Sequence, residues 1–138
     1  DGPLLARLPR GSELWLDGAH NPNAAQPVAR ALRTLAKRRP VTLILGMLAN
    51  KDADAVIRIL SPSIGHVIAI PVPGHAHHAP EALAAIARGY GTTADTAPSP
   101  ADALDRIAAG SDQPNLVLIA GSLYLAGEAL AANEQPPD

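Results

Sequence analysis

The residues best suited to chemistry are gathered in Asp17-Gly18-Ala19-His20-Asn21-Pro22, where three polar side chains of different kinds are interleaved with small residues. Asp17 can accept hydrogen bonds from a ribose hydroxyl or an ammonium group, and His20 can donate to a carboxylate or a phosphate. Gly18 permits a left-handed turn, and a helix starting at Pro22 would aim N–H groups and partial positive charge at an anion. Asp17 and Asn21 are equally at home as turn and capping residues, so the spacing alone leaves binding and architecture both open.

Three further stretches follow apolar runs in the same way. Gly46-Met47-Leu48-Ala49-Asn50-Lys51-Asp52 offers Asn50 and Lys51 to a small molecule. It lacks the second glycine and the hydroxyl residue of a phosphate-cradling G-x-x-x-x-G-K-S/T loop, and an ordinary turn capped by Asn50 or Asp52 reads equally well. In Ala120-Gly121-Ser122-Leu123-Tyr124, Ser122 can cap a helix or bind a ligand carboxylate, with the Tyr124 hydroxyl nearby. The stretch 71–80 carries His75, His77 and His78. Imidazole suits Zn²⁺, but adjacent histidines on a Pro/Gly-rich loop are not expected to converge, so a solvent-exposed loop without metal is the expectation. A zinc hydrolase using these three histidines would instead require stoichiometric Zn²⁺ in the purified protein.

Other chemistries find no support. The sequence has no G-x-S-x-G elbow, no H-E-x-x-H helix and no G-x-G-x-x-G dinucleotide turn. A formal charge of -2 gives no reason to expect a nucleic-acid partner, and Lys37-Arg38-Arg39 is expected to be the solvated last turn of a helix. The absence of cysteine excludes disulfides, thiolate metal sites and a Cys nucleophile, and agrees with a cytoplasmic location. No apolar run approaches the ~20 residues that span a bilayer, so no membrane partner is expected. Asp1-Gly2-Pro3 reads as a connector, which makes the chain an expected fragment of a longer one.

The elements that must position these residues are short. Apolar runs at 14–16, 41–45, 67–70 and 116–120 are mostly continuous rather than alternating, as parallel strands are when helices cover both faces. A short extra strand at 92–94 is also expected. Between the strands, a helix capped by Asn21 places Val28, Leu32 and Leu35 on one face, with Pro27 delaying or bending its start. The stretch 52–60 puts Ala53, Val56, Ile57 and Leu60 on one face, and 80–88 turns Leu83, Ile86 and Ala87 inward before Gly89 as C-cap. Ser99-Pro100 starts a helix with Leu104, Ile107 and Ala108 on one side, and 123–132 makes the last one. At 138 residues and 47% hydrophobic, one open α/β sheet is expected, mostly parallel, with ligands outside the strands' carboxyl ends.

Taken together, Leu16-Asp17-Gly18-Ala19-His20-Asn21-Pro22, Gly46-Met47-Leu48-Ala49-Asn50-Lys51-Asp52 and Ala120-Gly121-Ser122-Leu123-Tyr124-Leu125-Ala126-Gly127-Glu128 resemble, in this order, the C-terminal domain of the dihydrofolate synthase/folylpolyglutamate synthase family. This family is a branch of the Mur ligase superfamily, and the first string is the most specific to it. The resemblance spans most of the chain. It implies a Rossmann-like domain of the Mur ligase C-terminal type over 1–138, with 1–12 a linker from an N-terminal ATPase domain and 133–138 a frayed tail.

The resemblance further implies an ATP-dependent amide-bond ligase. In such enzymes the N-terminal domain holds ATP and Mg²⁺ on a P-loop and phosphorylates the terminal carboxyl of dihydropteroate or a folate. The C-terminal domain presents L-glutamate, whose amine attacks the acyl phosphate. On this resemblance Asp17 contacts ATP, His20 is the catalytic and substrate-binding histidine, and Ser122 belongs to the glutamate site with Tyr124 beside it. Asn50 and Lys51 are further substrate-binding candidates. The P-loop and Mg²⁺ ligands have no counterpart here, nor does the arginine that related enzymes carry upstream of Asp-Gly-Ala-His; neither Arg7 nor Arg10 is assigned that part. The histidine-rich loop also lies outside the family pattern. Ligase activity is accordingly expected of the full-length enzyme, and this piece alone is expected to be inactive. The other reading is a stand-alone, non-catalytic α/β module that binds a small anion or nucleotide.

Overall fold

Continuous apolar strands are stable where both faces of a sheet are covered, and Val41–Leu45 and Leu116–Ala120, buried along their whole length, occupy inner positions of the sheet. The computed structural model describes residues 5–17 and 20–122. Its strands are β1 (Glu13–Leu16), β2 (Val41–Leu45), β3 (His66–Ala69), β4 (Thr93–Thr96) and β5 (Leu116–Ala120). They form one parallel sheet in the order β1-β5-β2-β3-β4. The edge strands β1 and β4 are the partly exposed ones.

The connections are α1 (Pro22–Leu35), α2 (Ala53–Leu60), α3 (Pro80–Gly89) and α4 (Pro100–Gly110). Side chains alternate across each strand, so Leu43, Leu45, Leu116 and Leu118 pack with α1, α2 and α3 on one face. Ile44, Ile68, Val117 and Ile119 pack with α4 and Leu8 on the other. The sheet is thus covered on both sides, as its composition predicts.

Local chemistry starts the helices where expected. Asn21 Oδ1 accepts the Ala24 N–H at 2.9 Å, Asp52 Oδ1 accepts the Ala55 N–H at 3.1 Å, and Ser99 Oγ accepts the Asp102 N–H at 3.1 Å. Each cap satisfies an N–H that the helix leaves unpaired. Pro27 neither delays nor breaks α1, which runs through it; proline removes the bond to residue 23, and Asn23 is exposed, so its carbonyl can turn to water. The buried stripe of α1 is Ala25, Ala29 and Leu32, with Val28 and Leu35 half-buried beside it.

Other boundaries move for physical reasons. Strand β4 runs over Thr93–Thr96 rather than 92–94, and Thr92 just before it turns its hydroxyl inward to bond that of Ser61 in a buried pair. Helix α3 passes Gly89 and is closed by Gly91, at φ +84°, with the Thr92 N–H donating to Ala87 O at 3.0 Å. Lys37-Arg38-Arg39 is not the solvated last turn of a helix. It lies past the end of α1, with Lys37 and Arg38 at positive φ, and Arg39 folds back to bind Leu35 O at 2.5 Å, Ala36 O at 3.0 Å, Gly11 O at 3.1 Å and Glu13 Oε1 at 2.6 Å. Arg39 also holds the Glu13 carboxyl below its ordinary range.

The described part of the stretch 1–12 is packed on the body. Leu8 is buried, Arg7 grips Asp105 of α4 through both carboxylate oxygens at 2.8 and 2.9 Å, and Ser12 Oγ accepts the Asn115 N–H at 2.9 Å. The expected connector at residues 1–3, the tail 133–138 and the expected helix 123–132 lie outside the described residues.

Candidate functional site

All five strands run the same way, so their carboxyl ends share one edge. Asp17 follows the last residue of β1, and its N–H donates to Ile119 O of β5 at 3.0 Å. Gly46 follows β2, and its N–H donates to Ala120 O of β5 at 3.3 Å. The end of β5, Gly121-Ser122, therefore emerges between Asp17 and Gly46, each one strand spacing of about 4.8 Å away. Residues from the two extremities of the chain are brought to one rim.

The closeness of these turns explains their small residues. Gly121 has φ +106°, a region L side chains rarely adopt. A Cβ there would collide with Gly46 O and lie 2.7 Å from Leu45 Cδ1 and 2.9 Å from Met47 Cγ. The turns after β5 and β2 touch backbone to backbone, and no side chain fits between them.

Around this centre the sequence candidates take different positions. Asp17 and His20 are half-buried, and His20 stands just before the cap of α1. Asn21 serves as that cap. Ser122 is buried, at 1% exposure, so its hydroxyl lies beneath the rim. Asn50 is exposed and Lys51 half-buried, in the turn leading to α2, with Asp52 used as its cap. Gly18, Ala19 and Tyr124 lie outside the described residues. Arg7, engaged with Asp105, sits against α4, and Arg10 is exposed.

The histidine-rich loop is not simply a solvent-exposed excursion, because it is tied to the rim. Leu48 and His77 form an antiparallel bridge, the Ala49 N–H donates to Ala76 O at 3.0 Å, and the His78 N–H donates to Met47 O at 2.9 Å. Val72 is buried beneath it. Between the two loops lies an open depression lined by Leu48, Ala49, Asn50, His75 and Ala76. Sequence inspection missed this pairing, since a single isolated bridge leaves no periodic pattern.

The histidines do not converge on a metal. His77 Nδ1 donates to His75 O at 2.8 Å, and His78 Nε2 donates to Lys51 O at 2.9 Å. Among the described residues no group of three or more His, Asp or Glu side chains is arranged to hold a metal ion. No helix among the described residues is long and apolar enough to cross a membrane.

A second concavity, of about 250 Å³, lies at the opposite edge, by the start of β2 and β3, and is lined by Thr42, His66, Asp95, Arg106 and Asn115 among others. Several of its polar groups are engaged with neighbouring residues. His66 Nδ1 bonds Thr93 Oγ1 at 2.7 Å, while Arg106 donates to Thr96 O and lies 3.8 Å from Asp95. Burial pushes the His66 imidazole below its ordinary value, partly offset by Asp95 and the bond to Thr93. We therefore place the candidate site at the carboxyl rim.

Comparison with known proteins bears on what that rim does. The family model described as the glutamate ligase domain of Mur ligases matches residues 6–123. The folylpolyglutamate synthase of Lacticaseibacillus casei is 37% identical over 129 residues, covering 88% of this chain and 28% of that protein. A probable bifunctional folylpolyglutamate synthase/dihydropteroate synthase of Haloferax volcanii is 34% identical over 115 residues, covering 83% of this chain and 14% of that protein. Among solved structures, Mycobacterium tuberculosis folylpolyglutamate synthase complexed with ADP superposes with a TM-score of 0.75 at 26% identity, over 91% of this chain and 30% of that one. The folylpolyglutamate synthase of Thermotoga maritima shares the fold, with a TM-score of 0.76 at 24% identity over 92% of this chain and 29% of that one. The chain thus spans less than a third of the length of each of these proteins.

Proposed function

We propose, from the premise that this chain belongs to the family of Mur ligase glutamate ligase domains, that it is the C-terminal domain of an ATP-dependent ligase that adds L-glutamate to dihydropteroate or folates. The observation that carries this reading is the shared rim, where Asp17, Gly46 and Gly121-Ser122 leave three adjacent parallel strands side by side. Such an edge can present several polar groups to one ligand, and it is where open α/β sheets bind small molecules.

The reaction asks for two steps. The acceptor carboxylate takes the terminal phosphoryl group of ATP, giving an acyl phosphate and ADP. The glutamate ammonium group gives up a proton to solvent and its free amine then attacks the acyl carbon. The C–N bond forms, the C–O bond to phosphate breaks, inorganic phosphate leaves, and the new amide nitrogen releases its second proton to solvent. The first step belongs to an N-terminal ATPase domain that supplies the P-loop and the Mg²⁺ ligands. Asp17 accepts hydrogen bonds from ATP, and His20 donates to the incoming glutamate or to phosphate oxygens. Ser122 and Tyr124 shape the glutamate site, and Asn50 and Lys51 meet the substrate from the β2–α2 turn. Closure of the two domains would align amine and acyl carbon and keep water from the activated carboxyl.

The test uses the full-length enzyme. Asp17→Ala and His20→Ala are expected to lower glutamate-dependent ADP release by about tenfold or more, while thermal unfolding stays close to that of the parent. Wild-type turnover in both variants would remove these residues from the site. Dihydropteroate and tetrahydrofolate, compared as acceptors, separate dihydrofolate synthase from folylpolyglutamate synthase activity. Residues 1–138 alone are expected to release no ADP.

A further inference from the structure

Resting on the reading of Asn50 and Lys51 as substrate-binding residues, we infer that His78 is a positioning residue that holds the 47–51 segment at the carboxyl rim. Its backbone N–H donates to Met47 O at 2.9 Å, and its ring Nε2 donates to Lys51 O at 2.9 Å. One residue thereby grips both ends of the segment. The bridge between Leu48 and His77, and the bond from the Ala49 N–H to Ala76 O at 3.0 Å, fill the interval.

The two ends differ in what else holds them. Met47 is fully buried and lies against the Gly121 turn, so the core fixes that end. The Lys51 end is partly open and continues into exposed Asp52, and there the His78 ring supplies a tie from another loop. Lys51 O is a shared acceptor, since the Ala53 N–H also donates to it at 3.0 Å. Removing the ring therefore leaves that carbonyl with a partner, and the fold survives. What is lost is the fixed placement of Asn50 and Lys51 beside the depression between the two loops. His78 touches no substrate in this scheme. It acts through the turn it holds.

The experiment compares His78→Ala, His78→Gln and an Asn50→Ala/Lys51→Ala double variant in the full-length enzyme. His78→Ala is expected to raise KM for L-glutamate about three- to tenfold, with kcat changed less than about twofold. Amide exchange should accelerate at 49–53 and stay unchanged in β2 and β5. Glutamine carries a side-chain N–H that can reach the same carbonyl, so His78→Gln should restore most of the KM and the local protection. A KM that rises in the double variant but not in His78→Ala overturns the inference, as does accelerated exchange across the whole sheet. If the double variant leaves KM unchanged, the substrate-site reading of Asn50 and Lys51 fails, and exchange at 49–53 in His78→Ala still decides whether the ring holds the segment.

Discussion

At the scale of single residues, the strongest constraint sits at Gly121, where two demands coincide. Its φ of +106° disfavours any side chain, and a Cβ would meet the Gly46 carbonyl, which as backbone cannot swing aside. Gly74 offers a control, since its φ is +82° and nothing lies within 4 Å of the place a methyl group would take. Gly74→Ala should cost about 1–2 kcal/mol from backbone strain alone, whereas Gly121→Ala should cost more, about 3 kcal/mol or above, by adding the clash. Urea unfolding measures both, and equal losses would show that the β2 and β5 turns do not touch as described.

His66 gives a residue-scale prediction in pH. Burial lowers its folded pKa below the unfolded value, so the unfolded chain takes up the proton first as pH falls. Stability should therefore decline through the window just below the ordinary histidine value of about 6.5. His66→Gln should flatten that part of the profile. A proton NMR titration that found the His66 ring at or above its ordinary value would contradict the assignment.

At the scale of elements, α1, α2 and α4 owe their start points to capping side chains the sequence displays. Asn21 is one, and its Oδ1 bond to the Ala24 N–H at 2.9 Å is what Asn21→Ala removes. The expected loss is about 1 kcal/mol, and Asn21→Asp or Asn21→Ser should recover most of it. This cap also stands next to His20, so the same substitution in the full-length enzyme should disturb glutamate addition more than its stability loss would suggest. The other end of α1 is held differently. Arg39 ties Leu35 O and Ala36 O to Gly11 O and Glu13, joining the helix end to the strand that leads to Asp17. Helix boundaries of the first kind are readable because the capping residue is adjacent to what it caps. The Arg39 tether is not, because two of its partners, Gly11 O and the Glu13 carboxylate, lie far back along the chain.

At the scale of the whole molecule, stability rests on a sheet sandwiched between α1, α2 and α3 on one side and α4 on the other. Leu43 is fully buried near the middle of the first layer, and Leu43→Ala should cost about 2–5 kcal/mol. Trp15, by contrast, is 44% exposed on the edge strand β1, and Trp15→Ala should cost well under half as much. Denaturation midpoints that reversed this order would place the core elsewhere.

The sequence by itself determined the class of fold and most of its parts. Leu116–Ala120 is an unbroken apolar run and Val41–Leu45 is one interrupted only by Thr42; Asn21, Asp52 and Ser99 mark helix starts, and the alternation of the two patterns implies a parallel sheet. These signals are local, since burial on both faces and the satisfaction of a helix's first N–H groups are written within a few neighbouring residues. The tertiary structure alone decided the strand order, which inserts the last strand, β5, between the first two and so sets Ser122 beside Asp17 and Gly46. It likewise decided that His78 reaches Lys51 and that Arg39 reaches Glu13. Such contacts join residues far apart in the chain, and they form because the sheet can bury both faces in this arrangement, which no local spacing records.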